Sequence, residues 1–138
     1  MRTIVALLIV GMSIVIFTSA AAITLEEFVQ QLEAQKAAHT VLIKNAQTHR
    51  AAACPILKDS RDNGVCDSLF EVVILRRQSE KLLIEANILA FKTGSDKTRS
   101  DVMAIAPMSH YNATILITNQ MWDAAILVYP MPSSPTGR

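Results

Sequence analysis

The chain has 138 residues, a formal net charge of +1, 51% hydrophobic residues and 18% charged residues. This length suits one ordinary domain, and the composition excludes a chain too polar to bury a core. The near-neutral charge excludes the basic surface of a nucleic-acid-binding protein. Two cysteines are too few for a disulfide-dense scaffold or a four-thiolate zinc site.

The N-terminal segment has the order of a secretory signal peptide. Arg2 gives a short positive start, an apolar run extends from Ile4 to Phe17, and small residues follow. This order predicts a signal peptide over residues 1–22, cleaved after Ala20 or, as we favour, after Ala22. The alternative is an uncleaved signal anchor, since the apolar stretch approaches the length that spans a bilayer. Cleavage predicts a secreted, extracellular chain with zero formal charge and no membrane association.

Export also suggests how the two cysteines are used. An oxidising compartment favours an intrachain disulfide between Cys54 and Cys66. Neither a metal site nor a catalytic thiol is expected, because no further ligands lie at short spacing and no cysteine is left free.

A long first helix is predicted over about residues 24–53. Thr24 and Glu27 have the spacing of a capping box, and Pro55 disfavours helical geometry at the residue before it. One face of this helix carries apolar residues and one histidine at helical spacing: Leu25, Phe28, Val29, Leu32, His39, Leu42, Ile43 and Ala46. His39 is therefore predicted to be a hydrogen-bonded core or boundary residue. His49 and Arg50 are expected to interact with the negative end of the helix dipole.

The segment between the cysteines is predicted to be a loop, with a tight turn at Asn63-Gly64. Ser68 and Glu71 predict a second capping box, and thus a helix over about residues 68–93 that is stopped by Gly94. Two ion pairs at four-residue spacing are expected along it, Arg76–Glu80 and Lys81–Glu85. The wide apolar surface of this helix predicts a central position.

The third segment is more ambiguous. Ser100 or Asp101 is predicted to cap a helix that meets Pro107, where the helix either kinks or gives way to a second piece. Between Met108 and Tyr129, three polar residues share one helical face: Asn112, Asn119 and Asp123. Three apolar residues lie roughly opposite to them: Ile117, Met121 and Ala124. The β-branched run over residues 114–118 leaves a short edge strand as the alternative.

Together these elements predict an all-α fold, a small up-down-up bundle of about three helices behind the signal peptide. The helical domain covers residues 23–129, with one intrachain disulfide. Residues 130–138 contain three prolines and are predicted to form a flexible, disordered tail.

No group of residues predicts a catalytic, metal or cofactor site. His39 and His49 lie ten positions apart rather than at the spacing that brings two imidazoles to one metal, and His110 has no partner motif. No G-x-S-x-G elbow or phosphate-binding glycine loop occurs. The sequence therefore predicts a protein that is not an enzyme.

Two further features bear on the surface. Asn112 begins an N-x-[ST] sequon and would accept a glycan in a eukaryotic secretory route. Sulfur-containing and aromatic residues are concentrated nearby as a possible interaction face, with ordinary core packing as the alternative: Met108, Tyr111, Met121 and Trp122.

Two functional hypotheses follow. The first is a secreted, non-enzymatic helical protein that acts by binding another macromolecule, an unidentified protein partner. It predicts an exposed apolar patch on the third segment and no enclosed cavity. The alternative is an extracellular carrier of a small apolar ligand such as a lipid, held in a pocket between long helices.

Overall fold

The computed structural model describes residues 24–105 and 109–133, and within these ranges the chain forms four α-helices and no strand. The helices are α1 Leu25–Ala53, α2 Ser60–Thr93, α3 Asp96–Ile105 and α4 Ser109–Val128. The all-α class is confirmed, and the run 114–118 is helical rather than an edge strand. The predicted signal peptide and the end of the predicted tail lie outside the described residues.

The first helix has the bounds that its sequence predicts. Thr24 Oγ1 accepts from the Glu27 amide at 3.2 Å, and Glu27 Oε2 accepts from the Thr24 amide at 2.8 Å. These reciprocal bonds complete the predicted capping box and satisfy amides that have no partner within the helix. The helix ends at Ala53, and Cys54 is its C-cap ahead of Pro55.

The second helix begins earlier than predicted. Asp59 is its N-cap, and the Asp59 carboxylate accepts from the amides of Arg61 at 2.7 Å and Asp62 at 3.4 Å. The predicted loop over the whole of 54–66 and the predicted start at Ser68 are therefore wrong. An aspartate is as good an N-cap as a serine, and this one adds a favourable charge at the positive end of the helix dipole.

The two glycines of the second helix have opposite surroundings. Gly64, predicted to form a tight turn, lies inside α2, and an added methyl group would meet no atom within 4 Å. Gly94 is the C-cap, as predicted, and a Cβ there would lie 2.4 Å from the Ala90 carbonyl oxygen and 2.6 Å from the Thr98 side chain. The first glycine is thus replaceable, whereas the second is required by the close approach of α3.

We expect Gly64→Ala to raise the free energy of unfolding by about 0.5–1 kcal/mol, because alanine loses less backbone entropy in a helix. Gly94→Ala, the matched control, is expected to lower it through steric overlap. Urea denaturation of both variants measures the difference. A loss of stability in Gly64→Ala would contradict a helix that begins at Ser60.

The third segment divides into two helices. One ends at Ile105 and the other begins at Ser109, and the predicted kink or break at Pro107 lies outside the described residues. The described residues thus form four helices where about three were expected, and the alternative of a second piece in the third segment is the one that fits. The predicted cap at Ser100 or Asp101 is also wrong, because α3 already begins at Asp96, where Ser95 Oγ accepts from the Thr98 amide at 3.3 Å.

The second helix is central, as predicted, and both α1 and α4 run antiparallel to it. His39 of α1 and Thr118 of α4 contact Glu80 near the middle of α2, whereas later residues of both helices contact its start. At one end of the bundle α1, α2 and α3 share an apolar cluster: Phe28, Leu32, Ile84, Ile88, Phe91 and Val102. At the other end α1, α2 and α4 share two further clusters: Ala46, Val73 and Ile74, and Cys54, Cys66, Phe70 and Ala125.

Candidate functional site

A buried polar cluster separates the apolar ends of the bundle. Its members are His39 of α1, Arg77 and Glu80 of α2, and Thr118 of α4, and none of them is more than 6% exposed. Buried polar groups are costly unless they are hydrogen-bonded, so this cluster depends on its mutual contacts. The cluster brings together chemistry-bearing side chains of three described helices.

The Glu80 carboxylate is the centre of the cluster. Its Oε2 accepts from His39 Nε2 at 3.0 Å and from Arg77 at 3.1 Å. Its Oε1 accepts from the Thr118 hydroxyl at 2.6 Å. Arg77 also donates to Asn119. One carboxylate thus connects three helices through charge-assisted hydrogen bonds, the stronger kind in proteins.

The geometry does not match a nucleophile aligned with a base. His39 Nδ1 lies 2.9 Å from the Gln35 carbonyl oxygen, so both ring nitrogens face oxygen atoms. The Thr118 hydroxyl contacts Glu80 rather than the imidazole. In a triad the base would lie between the acid and the nucleophile. The arrangement instead joins α1, α2 and α4 at a defined register.

Two predictions about these residues have different outcomes. His39 is buried and hydrogen-bonded, as predicted. The predicted Arg76–Glu80 pair is wrong, because Arg76 donates to Thr118 at 3.0 Å while Glu80 faces inward. The other predicted pair, Lys81–Glu85, is present at 3.8 Å.

A signal for this cluster exists in the sequence. Arg77 and Glu80 continue the three- and four-residue spacing that runs from Phe70 through Val73 to Ile84. They therefore lie on the core face of α2 rather than on its solvent face.

The environment of Glu80 affects its ionisation. Burial acts to raise the pKa of this carboxyl, but hydrogen bonds from His39 and Thr118 and the charge of Arg77 outweigh burial. The pKa of Glu80 therefore lies below its ordinary value, and the folded protein favours the ionised form.

This lowered pKa predicts an acid-dependent loss of stability. The stabilisation is present above the unfolded-state pKa of a glutamate and is lost as the pH falls through the lower folded-state pKa. The pKa values of Glu27 and Glu33 are also lowered, by hydrogen bonds from Thr24 and Lys36 respectively, and act in the same direction. We expect the free energy of unfolding to fall with acidification and to fall less steeply in Glu80→Gln. Equal slopes in urea denaturation across a pH series would contradict this role of Glu80.

A second cluster lies at the disulfide end. Cys54 and Cys66 form the predicted disulfide, and neither is more than 1% exposed. His49 is buried beside it, with ring centroids 5.1 Å from Phe70 and 5.4 Å from Trp122, and its Nε2 lies 2.7 Å from the Tyr129 carbonyl oxygen. His49 Nε2 thus faces a carbonyl oxygen of the segment that follows α4. Packing by α4 turns this residue into part of the core.

Loss of the disulfide is expected to lower the free energy of unfolding by about 3 kcal/mol, the contribution expected for closing a loop of this size. The matched variants are Cys54→Ser with Cys66→Ser, compared by urea denaturation with the reduced and oxidised wild type. Reduction should reproduce the effect of the double variant. A double variant as stable as the oxidised protein would contradict this contribution.

The described members of the predicted interaction face do not lie on the exposed side of α4. Met121 and Trp122, two members of the predicted interaction face, are half-buried and pack against core clusters. Met108 lies outside the described residues, and the side chain of Tyr111 is not described. These positions favour the core alternative for Met121 and Trp122.

The buried side of α4 also lies at a different angle around the helix from the predicted one. Thr118 and Ala125 are its fully buried residues, whereas Ile117 and Ala124, predicted to face the core, are exposed. The exposed large apolar residues of α4 and the segment after it are Leu116, Ile117, Leu127, Val128 and Met131. Asn112 of the sequon is exposed in the first part of α4. We call the exposed set Leu116, Ile117, Leu127 and Val128 the α4 outer face.

A groove of about 360 Å³ lies between α1 and α2. It is open to solvent, and its lining is Thr40, Ile43, Gln78, Lys81, Leu82 and Glu85. Because the groove is open, it is poorly suited to shield an apolar ligand from water.

Comparison of the chain with protein-family models, with curated proteins and with solved structures finds no match. Within the described ranges, no helix combines the length and the apolar character needed to cross a membrane. No group of three or more potential metal ligands is found among the same residues.

Proposed function

We propose that this is a secreted, non-enzymatic protein that acts by binding another macromolecule through the α4 outer face. The observation that carries the proposal is the exposure of this face: Leu127 is 82% exposed and Val128 62%. Contiguous exposed apolar residues are typical of protein interaction sites.

The chemistry of the face indicates the kind of partner. Asp123 is the only Asp, Glu, Lys or Arg residue of α4. A partner that docks here is therefore a mainly apolar protein surface, because a charged group would lose hydration and could gain an opposite charge only at Asp123.

Secretion and glycosylation are parts of the same proposal. The buried disulfide supports an oxidising compartment. The exposed Asn112 supports a glycan on the mature chain. Mass spectrometry of protein from the medium of expressing eukaryotic cells tests both. The expected product lacks residues 1–22 and carries a glycan that is absent from Asn112→Gln; an intact, cell-retained chain would contradict secretion.

Differential capture tests the binding function. Tagged wild type, Leu127→Glu and the control variant Val41→Glu, which changes an exposed valine on α1, are incubated with the extracellular fluid of the source. We expect a partner to be recovered with wild type and Val41→Glu and lost with Leu127→Glu. Equal recovery with all three proteins, or none above a tag control, would contradict binding through α4.

Native mass spectrometry distinguishes the carrier hypothesis. The open groove between α1 and α2 gives that hypothesis little support. We expect the folded protein to carry no bound mass beyond its own mature chains and their glycans. Additional mass of lipid size that disappears on denaturation would overturn the proposal in favour of a carrier.

A further inference from the structure

The second helix carries an apolar stripe on the side that faces away from the bundle. The core residues of α2, such as Phe70 and Ile84, lie on one side, and the stripe lies roughly opposite to them at 100° per residue. Its large members are all 44% to 65% exposed: Val65, Val72, Leu75, Leu82 and Leu89. We call this set, with the small exposed residues Ser79 and Ala86 between its members, the α2 outer stripe.

The stripe has the spacing of a coiled-coil seam. Val65, Val72, Ser79 and Ala86 recur every seven residues, and Leu75, Leu82 and Leu89 recur every seven residues from a start three positions later. These are the a and d positions of a heptad repeat, the pattern by which one helix packs along another. The packing of α2 in the bundle does not require a heptad repeat on its outer side. The stripe therefore indicates that α2 packs against a further helix, outside the described residues.

We propose that the α2 outer stripe binds the same stripe of a second copy of this chain, so that the two α2 helices pack antiparallel in a symmetric dimer. This inference does not depend on the proposed function, because it uses a different helix face. A two-fold dimer needs a self-complementary surface, and the stripe has this property in two respects.

The first respect is side-chain size. In an antiparallel pair centred between residues 80 and 81, Ser79 lies opposite Leu82 of the second copy, and Leu75 lies opposite Ala86. Val72 lies opposite Leu89 in the same register. Each small residue then faces a leucine, and the symmetry repeats the three layers over about 26 Å of helix. A parallel pair would place Ser79 against Ser79 and Ala86 against Ala86, between leucine layers that hold the helices apart.

The second respect is charge. Glu71 and Lys92 flank the stripe on the same side, and the antiparallel register brings Glu71 of each copy beside Lys92 of the other. Both side chains are about half-exposed, and each already has an opposite charge within its own chain: Arg50 for Glu71, and Glu33 for Lys92. In the dimer these two ion pairs would join into a network of alternating positive and negative charges. In this register no two like charges face each other along the flanks of the stripe.

Sedimentation equilibrium of the mature, disulfide-bonded protein over a concentration series tests the dimer. We expect the wild type to reach twice the monomer mass and Leu82→Glu to remain monomeric, with at least a hundredfold weaker association. Leu127→Glu on the α4 outer face is the matched control and should dimerise like the wild type. Far-UV circular dichroism verifies that both variants fold. A monomeric wild type at all concentrations, or an unchanged dimer in Leu82→Glu, would overturn the proposal.

Cross-linking tests the orientation. Leu75→Cys and Ala86→Cys are prepared separately, mixed and oxidised gently. The antiparallel register predicts a disulfide between the two different variants, and none when either is oxidised alone. Self-cross-linking of each variant would show a parallel pair and overturn the stated register. Leu127→Glu distinguishes the dimer from the proposed function. If this variant loses partner capture but still dimerises, the two interactions use different surfaces.

Discussion

Replacement of Glu80 by alanine is expected to lower the free energy of unfolding by about 3–5 kcal/mol. The substitution removes the acceptor for His39, Arg77 and Thr118 at once. Arg77, which is almost fully buried, would keep its charge without an opposite charge beside it. The uncompensated buried charge accounts for most of the expected loss.

The matched control is Glu85→Ala, one turn further along the same helix. Glu85 pairs with Lys81 at 3.8 Å near the surface, so its loss is expected to change stability by less than about 1 kcal/mol. Urea denaturation of both variants gives the comparison. Similar small effects at the two positions would show that the polar cluster does not hold the bundle together.

Replacement of Phe70 by alanine is expected to lower the free energy of unfolding by about 3–5 kcal/mol. Phe70 is completely buried beside the disulfide, and its ring centroid lies 5.1 Å from His49 and 6.0 Å from Trp122. Truncation leaves a cavity where α1, α2 and α4 meet. The neighbouring disulfide limits how far the helices can relax into it.

Trp122 reports this change directly because it is the only tryptophan of the chain. The near-UV circular dichroism of the folded Phe70→Ala variant should weaken as Trp122 loses its edge contact. Leu127→Ala, at a highly exposed position of α4, is the control and should change stability by no more than about 0.5 kcal/mol. An unaltered Trp122 signal in Phe70→Ala would contradict the described packing.

Helix ends were predictable wherever a single short motif determined them. The Thr24–Glu27 capping box and the Gly94 stop both act through groups within a few residues, and both predictions are confirmed. The start of α2 was not predictable in this way, because two cap motifs compete. Asp59 and Ser68 are both suitable N-caps, and Gly64 favours a turn between them. These two caps are nine positions apart, and the packing of α2 against α1 decides between them.

The inward face of α4 depends on other helices. Local spacing placed Asn119 on the solvent side and Ile117 on the core side. In the structure Asn119 binds Arg77, Thr118 binds Glu80, and Ile117 is exposed. A buried ion pair needs further hydrogen-bonding groups, and that requirement outweighs the burial of one more isoleucine.

The sequence by itself therefore determined the all-α class, the bounds of the first helix, the stop at Gly94, the disulfide and the core position of His39. Each of these depends on interactions between neighbouring residues, on helical periodicity or on a single pair of cysteines. Only the tertiary structure decided the start of α2, the rotation of α4, and the meeting of Glu80 with His39 and Thr118. The contacts at Glu80 join residues about 40 positions apart, and the cost of burying these polar groups depends on which partners the fold brings to them.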